Sequence, residues 1–251
     1  MNEPERIQKV LSQLGLGSRR EIERWIELGE VKINGSLAKL GDKISAQDQV
    51  MVRNKRVPLL AEKSSATRML IYYKPVGEVC SRHDPIFKKT VFEKLPPINN
   101  GRWIQVGRLD LNTAGLLIFT NNGDLAHHMM HPKFELEREY AVRVYGKVTD
   151  AMLKLLQQGV ALEDGFAQFK KIEYTGGEGL NAWYHVVLTE GRHREVRRLW
   201  QSQDVEVSRL IRIRFGSIQL PRFLSQGKWI EMNKQAVDQF KRLMGTRDGQ
   251  S

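Results

Sequence analysis

Residues 107–124 have the sequence G-R-L-D-L-N-T-A-G-L-L-I-F-T-N-N-G-D, the most informative pattern in the chain. A short apolar approach leads into a turn that carries Asp110, and the chain returns through the apolar run Leu116 to Phe119. A turn between two buried strands can hold one carboxylate at the rim of a cleft. The pattern fits an aspartate that acts as a nucleophile, and it also fits a surface loop in which Asp110 pairs with Arg108.

Length and composition indicate an ordinary soluble globular protein. With 251 residues, 41% hydrophobic and 27% charged, the chain can bury a sizeable core in one or two domains. No apolar run approaches the roughly twenty residues of a membrane helix, so no membrane contact is expected. The first residues lack the pattern of a signal peptide, and the single cysteine, Cys80, excludes an intrachain disulfide. We therefore expect a cytoplasmic protein.

The charge balance is strongly basic. The net charge is +11 and the isoelectric point is near 9.8. Residues 1–60 carry +3 of this charge and the remainder carries +8, so both parts can contact the same partner. Such an excess favours a polyanion, of which nucleic acid is the common one, over charge kept only for solubility.

The first sixty residues combine two helix signals with a hairpin signal. Apolar residues at positions 7, 10, 11 and 14 predict an amphipathic helix. Ser18-Arg19-Arg20-Glu21 is a capping box that opens a second helix, and Asn34-Gly35 predicts a tight turn between short strands. This order resembles the S4 RNA-binding domain over roughly residues 5–55. The resemblance implies that RNA is held by the face bearing Ser18, Arg19, Arg20 and Arg24; the alternative is a helical cap with solvated arginines.

The remainder of the chain predicts a second, larger domain. Residues 57–68 lose periodicity and indicate a linker, so we expect domains at 1–62, linker included, and 63–251. Strands and helices then alternate without a regular βαβ repeat, which predicts an α+β fold. One predicted helix runs from Glu190 to Gln203.

Basic residues in 192–214 are all arginine. Guanidinium groups bind phosphate in bidentate geometry, so an RNA-backbone or active-site role is favoured over a solvated surface. The seven arginines are Arg192, Arg194, Arg197, Arg198, Arg209, Arg212 and Arg214.

The sequence lacks the motifs that are typical of three other kinds of chemistry. His127 and His131 are one helical turn apart, but no third metal ligand accompanies them. No glycine-rich phosphate loop precedes a Lys-Ser/Thr pair, and no serine lies in a nucleophile elbow. We predict no metal site, no nucleotide hydrolysis and no serine catalysis.

The chain contains four motifs that belong together: the 107–124 stretch, E-R-E-Y-A-V-R-V at 137–144, E-G-R-H-R-E-V-R-R-L at 190–199 and R-L-I-R-I-R-F-G at 209–216. Together they resemble the pseudouridine synthases, in the branch that modifies ribosomal RNA and carries an N-terminal S4 domain. The resemblance covers about residues 5–240. It implies an α+β catalytic domain with a mixed, largely antiparallel sheet, and a reaction that detaches uracil from its ribose and reattaches it through carbon without any cofactor.

The resemblance also implies residue roles. Asp110 would be the nucleophile, Arg197 would form an ion pair with it, and Tyr140 would stack on the extruded uracil. Arg108 would fill the space that the base leaves, and Leu210 would form an apolar wall. Further RNA contacts would come from Arg192 and Arg194, whereas Lys74 and Pro75 would support the tyrosine rather than react.

The implied partner is a stem-loop of large-subunit ribosomal RNA near the peptidyl-transferase centre, with the target uridine flipped out of its stack. We expect a monomer. Two alternatives stay open. One is a sibling enzyme acting on small-subunit RNA or another position, and the other is a ribosome-assembly factor that binds RNA without catalysis.

Overall fold

The computed structural model describes residues 3–59, 66–82, 84–86, 89–98 and 101–244. The chain divides into two compact units: residues 1–67 with 96–104 and 121–123, and residues 68–95, 105–120 and 124–251. Residues 60–65 of the predicted linker lie outside the described residues, and the boundary at 62/63 stays a prediction. Within the described part, no helix is both long and apolar enough to cross a membrane.

The described residues of the first unit form two helices and six short strands. A four-stranded antiparallel sheet has the order β3-β2-β5-β6, and β1 pairs with β4. Ile7, Leu11 and Ile22 from the helices are fully buried against Val31 and Val50 of the sheet. The elements are β1 (Glu5–Arg6), α1 (Ile7–Gln13), α2 (Arg19–Glu27), β2 (Val31–Ile33), β3 (Ser36–Leu37), β4 (Lys43–Ile44), β5 (Val50–Val52) and β6 (Lys55–Val57).

The local sequence signals of this unit are confirmed. The Ser18 hydroxyl accepts from the Glu21 backbone N–H at 3.1 Å, and the Glu21 carboxylate accepts from the Ser18 N–H at 2.7 Å. This reciprocal pair satisfies two of the free N–H groups at the start of α2. Asn34 and Gly35 have φ values of +50° and +86°, as the tight turn between β2 and β3 requires.

The second unit is built on a nine-stranded sheet with helices, so the α+β prediction is confirmed. The sheet has the order β13-β14-β10-β15-β9-β7-β17, with β16 on β15 and β8 on β9; β11 and β12 form a separate hairpin. The strands are β7 (Met69–Lys74), β8 (Ile104–Val106), β9 (Ala114–Thr120), β10 (Arg138–Tyr145), β11 (Val160–Leu162), β12 (Gly165–Ala167), β13 (Lys171–Glu178), β14 (Asn181–Leu188), β15 (Glu206–Phe215), β16 (Ile218–Gln219) and β17 (Trp229–Glu231). The helices are α3 (Gly123–Met130), α4 (Asp150–Gln158), α5 (Glu195–Gln201) and α6 (Lys234–Leu243).

Strand β9 is an interior strand of this sheet. All seven of its residues are buried, which explains the apolar run from Leu116 to Phe119. It pairs antiparallel with β7 and parallel with β15, where Ala114 lies opposite Ile211 and Gly115 opposite Arg212. Gly115 has φ +112°, and a Cβ there would overlap the backbone N and O atoms of Arg212. A glycine is therefore required for β9 to approach β15.

The helix predicted from Glu190 to Gln203 is shorter in the structure. Helix α5 begins at Glu195, because Arg194 before it has φ +50° in the left-handed region. The residues from 190 to 194 instead form an irregular segment. This difference brings the arginines of the segment to the site described next.

Candidate active site

The turn that carries Asp110 connects β8 to β9. Leu109 is buried in the core of the second unit, which leaves Arg108 exposed and Asp110 partly exposed on either side of it. The Thr113 N–H donates to the Asp110 carbonyl at 3.0 Å and closes the turn. Gly107 has φ +72°, a conformation that favours glycine at the point where the chain leaves β8.

Lys74, at the end of β7, stabilises this turn through hydrogen bonds to its backbone. Its side chain is fully buried, and Nζ donates to the carbonyl oxygens of Thr113 at 2.8 Å, Pro75 at 3.0 Å and Asp110 at 3.1 Å. Burial lowers the pKa of this ammonium group. These hydrogen bonds go to the Asp110 turn and to Pro75, so support of the tyrosine by Lys74 and Pro75 stays a prediction.

A cleft of about 880 Å³ opens beside Asp110 within the second unit. This volume is in the range of small-molecule pockets and can admit a nucleotide. Six of the predicted site residues line it: Arg108, Asp110, Tyr140, Arg192, Arg194 and Leu210. The structure thus brings Asp110 and Tyr140 to one cleft, although the sequence separates them by a helix and a strand.

Tyr140 and Leu210 come to the cleft from neighbouring strands of the sheet. Tyr140 lies opposite Arg212, and Val142 lies opposite Leu210, so these side chains share one face. A bulge between Glu139 and Tyr140 shifts the register there, and bulges commonly redirect a side chain beside an active site. Tyr140 is 8% exposed, and it lines the cleft.

Arg197, on α5, does not form the ion pair that we predicted. Both Arg197 and Asp110 belong to the described residues, and no direct ion pair joins them. The guanidinium donates to the carbonyls of Val207 at 2.7 Å and Asn112 at 2.9 Å, so it connects α5 and β15 to the turn of Asp110. Burial and the charge of Arg194 lower the pKa of Arg197, while the charge of Asp110 acts in the opposite direction. The coupling to Asp110 is therefore electrostatic, and the direct contact is to the backbone of the turn.

Comparisons with known proteins identify this arrangement. The model of the RNA pseudouridylate synthase family matches residues 68–202, and that of the S4 domain matches residues 5–50. The chain belongs to the RNA pseudouridylate synthase family. Ribosomal large subunit pseudouridine synthase B of Haemophilus influenzae is 53% identical over 245 residues, which cover 97% of this chain and 69% of that protein. The protein of the same name from Escherichia coli K12 is 51% identical, with 96% and 83% covered.

A solved structure shares the fold of this synthase. The crystal structure of a pseudouridylate synthase superposes with a TM-score of 0.63 at 24% identity, and covers 93% of this chain and 98% of that one. The α+β architecture with an S4 domain is thereby confirmed by family and by fold.

Two other predicted RNA contacts of the synthase have different surroundings. Arg192 donates to the carboxylates of Asp164 and Glu190 and to the carbonyls of Gly165 and Phe166, so its Nη groups are occupied within the protein. Arg194 is exposed at the cleft. The structure therefore gives Arg192 a structural role, and it leaves Arg194 available to a ligand.

Three residues that line the cleft of the synthase are outside the predicted set. The backbone N–H of Arg192 donates to the Glu195 carboxylate at 3.0 Å; burial, with Glu190 beside it, raises the pKa of Glu195 to about 7. The Cys80 thiol accepts from the Leu109 N–H at 3.4 Å, and burial raises its pKa. Arg212 is 2% exposed. Of the three, only Arg212 gave a sequence signal, as one of the seven arginines.

The predicted contacts of the S4 domain lie together on one helix. Arg19, Arg20 and Arg24 are exposed on α2, and their side chains make no ion pair with another described residue. They are free to meet phosphates, in contrast to Arg53 of the same unit, which pairs with Glu30 at 2.7 Å. Among the described residues, no group of three or more His, Cys, Asp or Glu side chains is arranged to hold a metal ion.

Proposed function

We propose that this synthase converts a specific uridine of large-subunit ribosomal RNA to pseudouridine, with Asp110 as the nucleophile. The observation that carries the proposal is the position of Asp110 on a turn at the rim of the cleft, beside Tyr140. The two relatives named above, both at more than 50% identity, are large-subunit enzymes by name, which supports the choice of RNA.

The proposed chemistry uses residues of the chain alone. The bond between C1′ of the ribose and N1 of uracil breaks, the base turns, and a bond forms between C1′ and C5; C5 loses a proton and N1 gains one. Asp110 supplies the carboxylate that drives detachment. Tyr140 stacks on the flipped base, and stacking of this kind is worth about 1–3 kcal/mol per base. Arg108, exposed beside Asp110, fills the space that the base leaves in the RNA.

Further contacts are proposed for RNA outside the reacting nucleotide. Arg194 at the cleft and Arg19, Arg20 and Arg24 of the S4 domain bind phosphates. Leu210 forms an apolar wall against the base. The synthase acts as a monomer in the cytoplasm. Its substrate is an RNA stem-loop, because a loop or bulge lowers the energy needed to flip the target out of its stack.

Replacement of Asp110 tests the nucleophile. Asp110→Asn keeps the shape of the side chain and removes its charge, so we expect no detectable pseudouridine while the affinity for RNA stays within about threefold of the parent. Tritium release from 5-tritiated uridine in precursor RNA measures the reaction. Turnover by the variant at the parent rate would exclude Asp110 as the nucleophile.

The position in RNA is tested separately. Carbodiimide marks pseudouridines, and ribosomal RNA from cells that lack this protein should lose one such mark in the large subunit. A mark missing from small-subunit RNA would instead assign a sibling specificity. If the parent protein released no tritium from any ribosomal RNA, it would be an RNA-binding assembly factor.

A further inference from the structure

Arg212 is a buried cation in the cleft that has no anionic partner among the described residues. Its side chain is 2% exposed and lines the cleft. One hydrogen bond holds it, from Nε to the carbonyl oxygen of Leu116 at 2.8 Å. Its Nη2 atom is buried without any hydrogen-bond partner. The protein therefore leaves part of the hydrogen-bonding capacity of this guanidinium unused.

The strand pairing places Arg212 between the two groups expected to act on the nucleotide. On β15 it lies directly opposite Tyr140 of β10 on one side and Gly115 of β9 on the other. A Cβ atom at Gly107 would lie 3.8 Å from the Nη1 atom of Arg212, so this guanidinium also reaches the start of the Asp110 turn. A uracil stacked on Tyr140 would therefore have Arg212 beside it.

A second arginine, partly buried, adds positive charge to the same wall. Arg138 also lines the cleft, and the guanidinium carbons of Arg138 and Arg212 lie 5.0 Å and 5.2 Å from the ring centre of Phe215. Burial lowers the pKa of Arg138, and the charge of Arg212 adds to this effect. Two positive charges on one wall of the cleft favour a ligand that is negatively charged or becomes so.

The simplest structural role does not account for Arg212. Its bond to Leu116 connects β15 to β9, but backbone pairs of the sheet already join these strands. Burying an unpaired charge costs more than one hydrogen bond to a carbonyl returns. A neutral side chain would serve a purely structural purpose at lower cost.

We propose that Arg212 stabilises the negative charge that develops on uracil when its bond to the ribose breaks; this rests on the proposed function. When the C1′–N1 bond breaks, its electron pair stays with the base, and the charge spreads over the ring and its oxygens O2 and O4. Arg212 donates to this carbonyl edge. The pair then returns from C5 to C1′, the C5 proton leaves, and N1 takes up a proton. Donors fixed in a site before charge develops are among the strongest catalytic devices.

The first test compares two arginines of β15 in the full-length protein. Arg212→Met should slow single turnover on the target stem-loop RNA by about 100–1000-fold with RNA affinity changed only a few-fold. Arg212→Lys keeps a cation and should recover part of the rate. Arg214→Met is the matched control: Arg214 pairs with Glu139 at 2.6 Å and Glu137 at 3.1 Å and does not line the cleft, so its loss should leave the rate near the parent value.

The second test changes the substrate, which distinguishes direct stabilisation of the uracil by Arg212 from a purely structural effect of its replacement. Replacing O2 or O4 of the target with sulfur, as 2-thiouridine or 4-thiouridine in the synthetic stem-loop, weakens the acceptor for Arg212. One of the two RNAs should slow the parent protein by about tenfold or more and should slow Arg212→Met no further. The affected RNA identifies the oxygen.

Three results would overturn the proposal while leaving the proposed function intact. They are a parent-like rate for Arg212→Met, equal slowing of parent and variant by both thio-substituted RNAs, or no slowing of the parent by either. If Arg212→Met does not fold, as judged by circular dichroism, the comparison is made with Arg212→Lys. Absence of product from the parent protein would instead refute the proposed function.

Discussion

Three carbonyl oxygens at the candidate active site accept hydrogen bonds from one buried ammonium group, that of Lys74. Two of them, on Asp110 and Thr113, belong to the turn that carries the proposed nucleophile. Arg197 donates to a third residue of the same turn, Asn112. The position of the Asp110 carboxylate is thus set through its backbone, which leaves the side chain free to react.

Lys74→Met should therefore impair catalysis more than RNA binding. Methionine fills the same space but leaves three carbonyls without a donor, at about 1–3 kcal/mol for each buried group that finds no other partner. A shift of the turn by about 1 Å is expected to lower kcat by roughly 100-fold. Tritium release and a thermal unfolding curve measure the two effects.

The exposed Lys170, which pairs with Glu137, supplies the control. Lys170→Met should keep both the parent rate and the parent unfolding midpoint. A parent-like kcat for Lys74→Met would show that the turn does not depend on its ammonium group.

Single-residue roles could be predicted only where motif and position agree. Asp110 and Tyr140 meet at the cleft as expected, because each lies in a motif on its own element. Arg192 differs, since its partner Asp164 comes from the hairpin between β11 and β12 and no local pattern reveals that pairing. The charge count could not separate it from Arg194, which is exposed.

At the scale of elements, the parallel pair of β9 and β15 determines where the site lies. The Asp110 turn ends where β9 begins, and β15 carries Leu210 and Arg212. Their close approach at Gly115 brings both sets of residues to one face. Any side chain larger than that of glycine at position 115 would therefore interfere with the close approach of β9 to β15.

Gly115→Ala should separate these strands. The added Cβ would overlap the backbone of Arg212 and would also require alanine at φ +112°, so we expect a loss of at least about 3 kcal/mol in the free energy of unfolding. Denaturant unfolding measures the change.

Gly77→Ala separates backbone strain from close approach. Gly77 has φ +91°, but a Cβ there meets nothing within 4 Å, so only strain of about 1–2 kcal/mol is expected. Equal losses for the two variants would contradict a steric role for Gly115.

Elements were predictable where their signals are local. The capping box, the Asn34-Gly35 turn and the apolar run of β9 each depend on neighbouring residues and are confirmed. The pairing of β9 with β15 depends on residues far apart in the chain, and periodicity contains no information about it. The start of α5 was misplaced because a left-handed residue, Arg194, breaks a pattern that otherwise suits a helix.

In the whole molecule, which has a net charge of +11, some basic side chains are paired with carboxylates and others can bind an external partner. Arg192, Arg198 and Arg214 are paired with carboxylates and contribute little to an external partner. The arginines of α2 have no such partners among the described residues. The electrostatic contribution of the S4 domain to RNA binding should therefore come from α2.

Replacing Arg19, Arg20 and Arg24 together by glutamine tests this assignment. Binding to each phosphate releases counterions, so every phosphate that no longer meets an arginine lowers the slope of log affinity against log salt concentration by about 0.7–0.9. For three arginines the slope should fall by roughly two to three. Filter binding of the stem-loop RNA across a salt series measures it.

Arg53→Gln is the matched control, because Arg53 is occupied by Glu30 and should leave the slope unchanged. An unaltered slope for the triple variant would show that α2 does not contact phosphates.

The parallel pair of β9 and β15 also has a consequence for the timing of biosynthesis. Ala114 and Gly115 leave the ribosome well before Ile211 and Arg212, with which they pair. At synthesis rates of about 5–20 residues per second, the delay is on the order of 5–20 s. During that interval the nascent chain already contains Asp110 but not the strand that completes the cleft. A chain truncated before β15 should thus be inactive, although its S4 domain is complete.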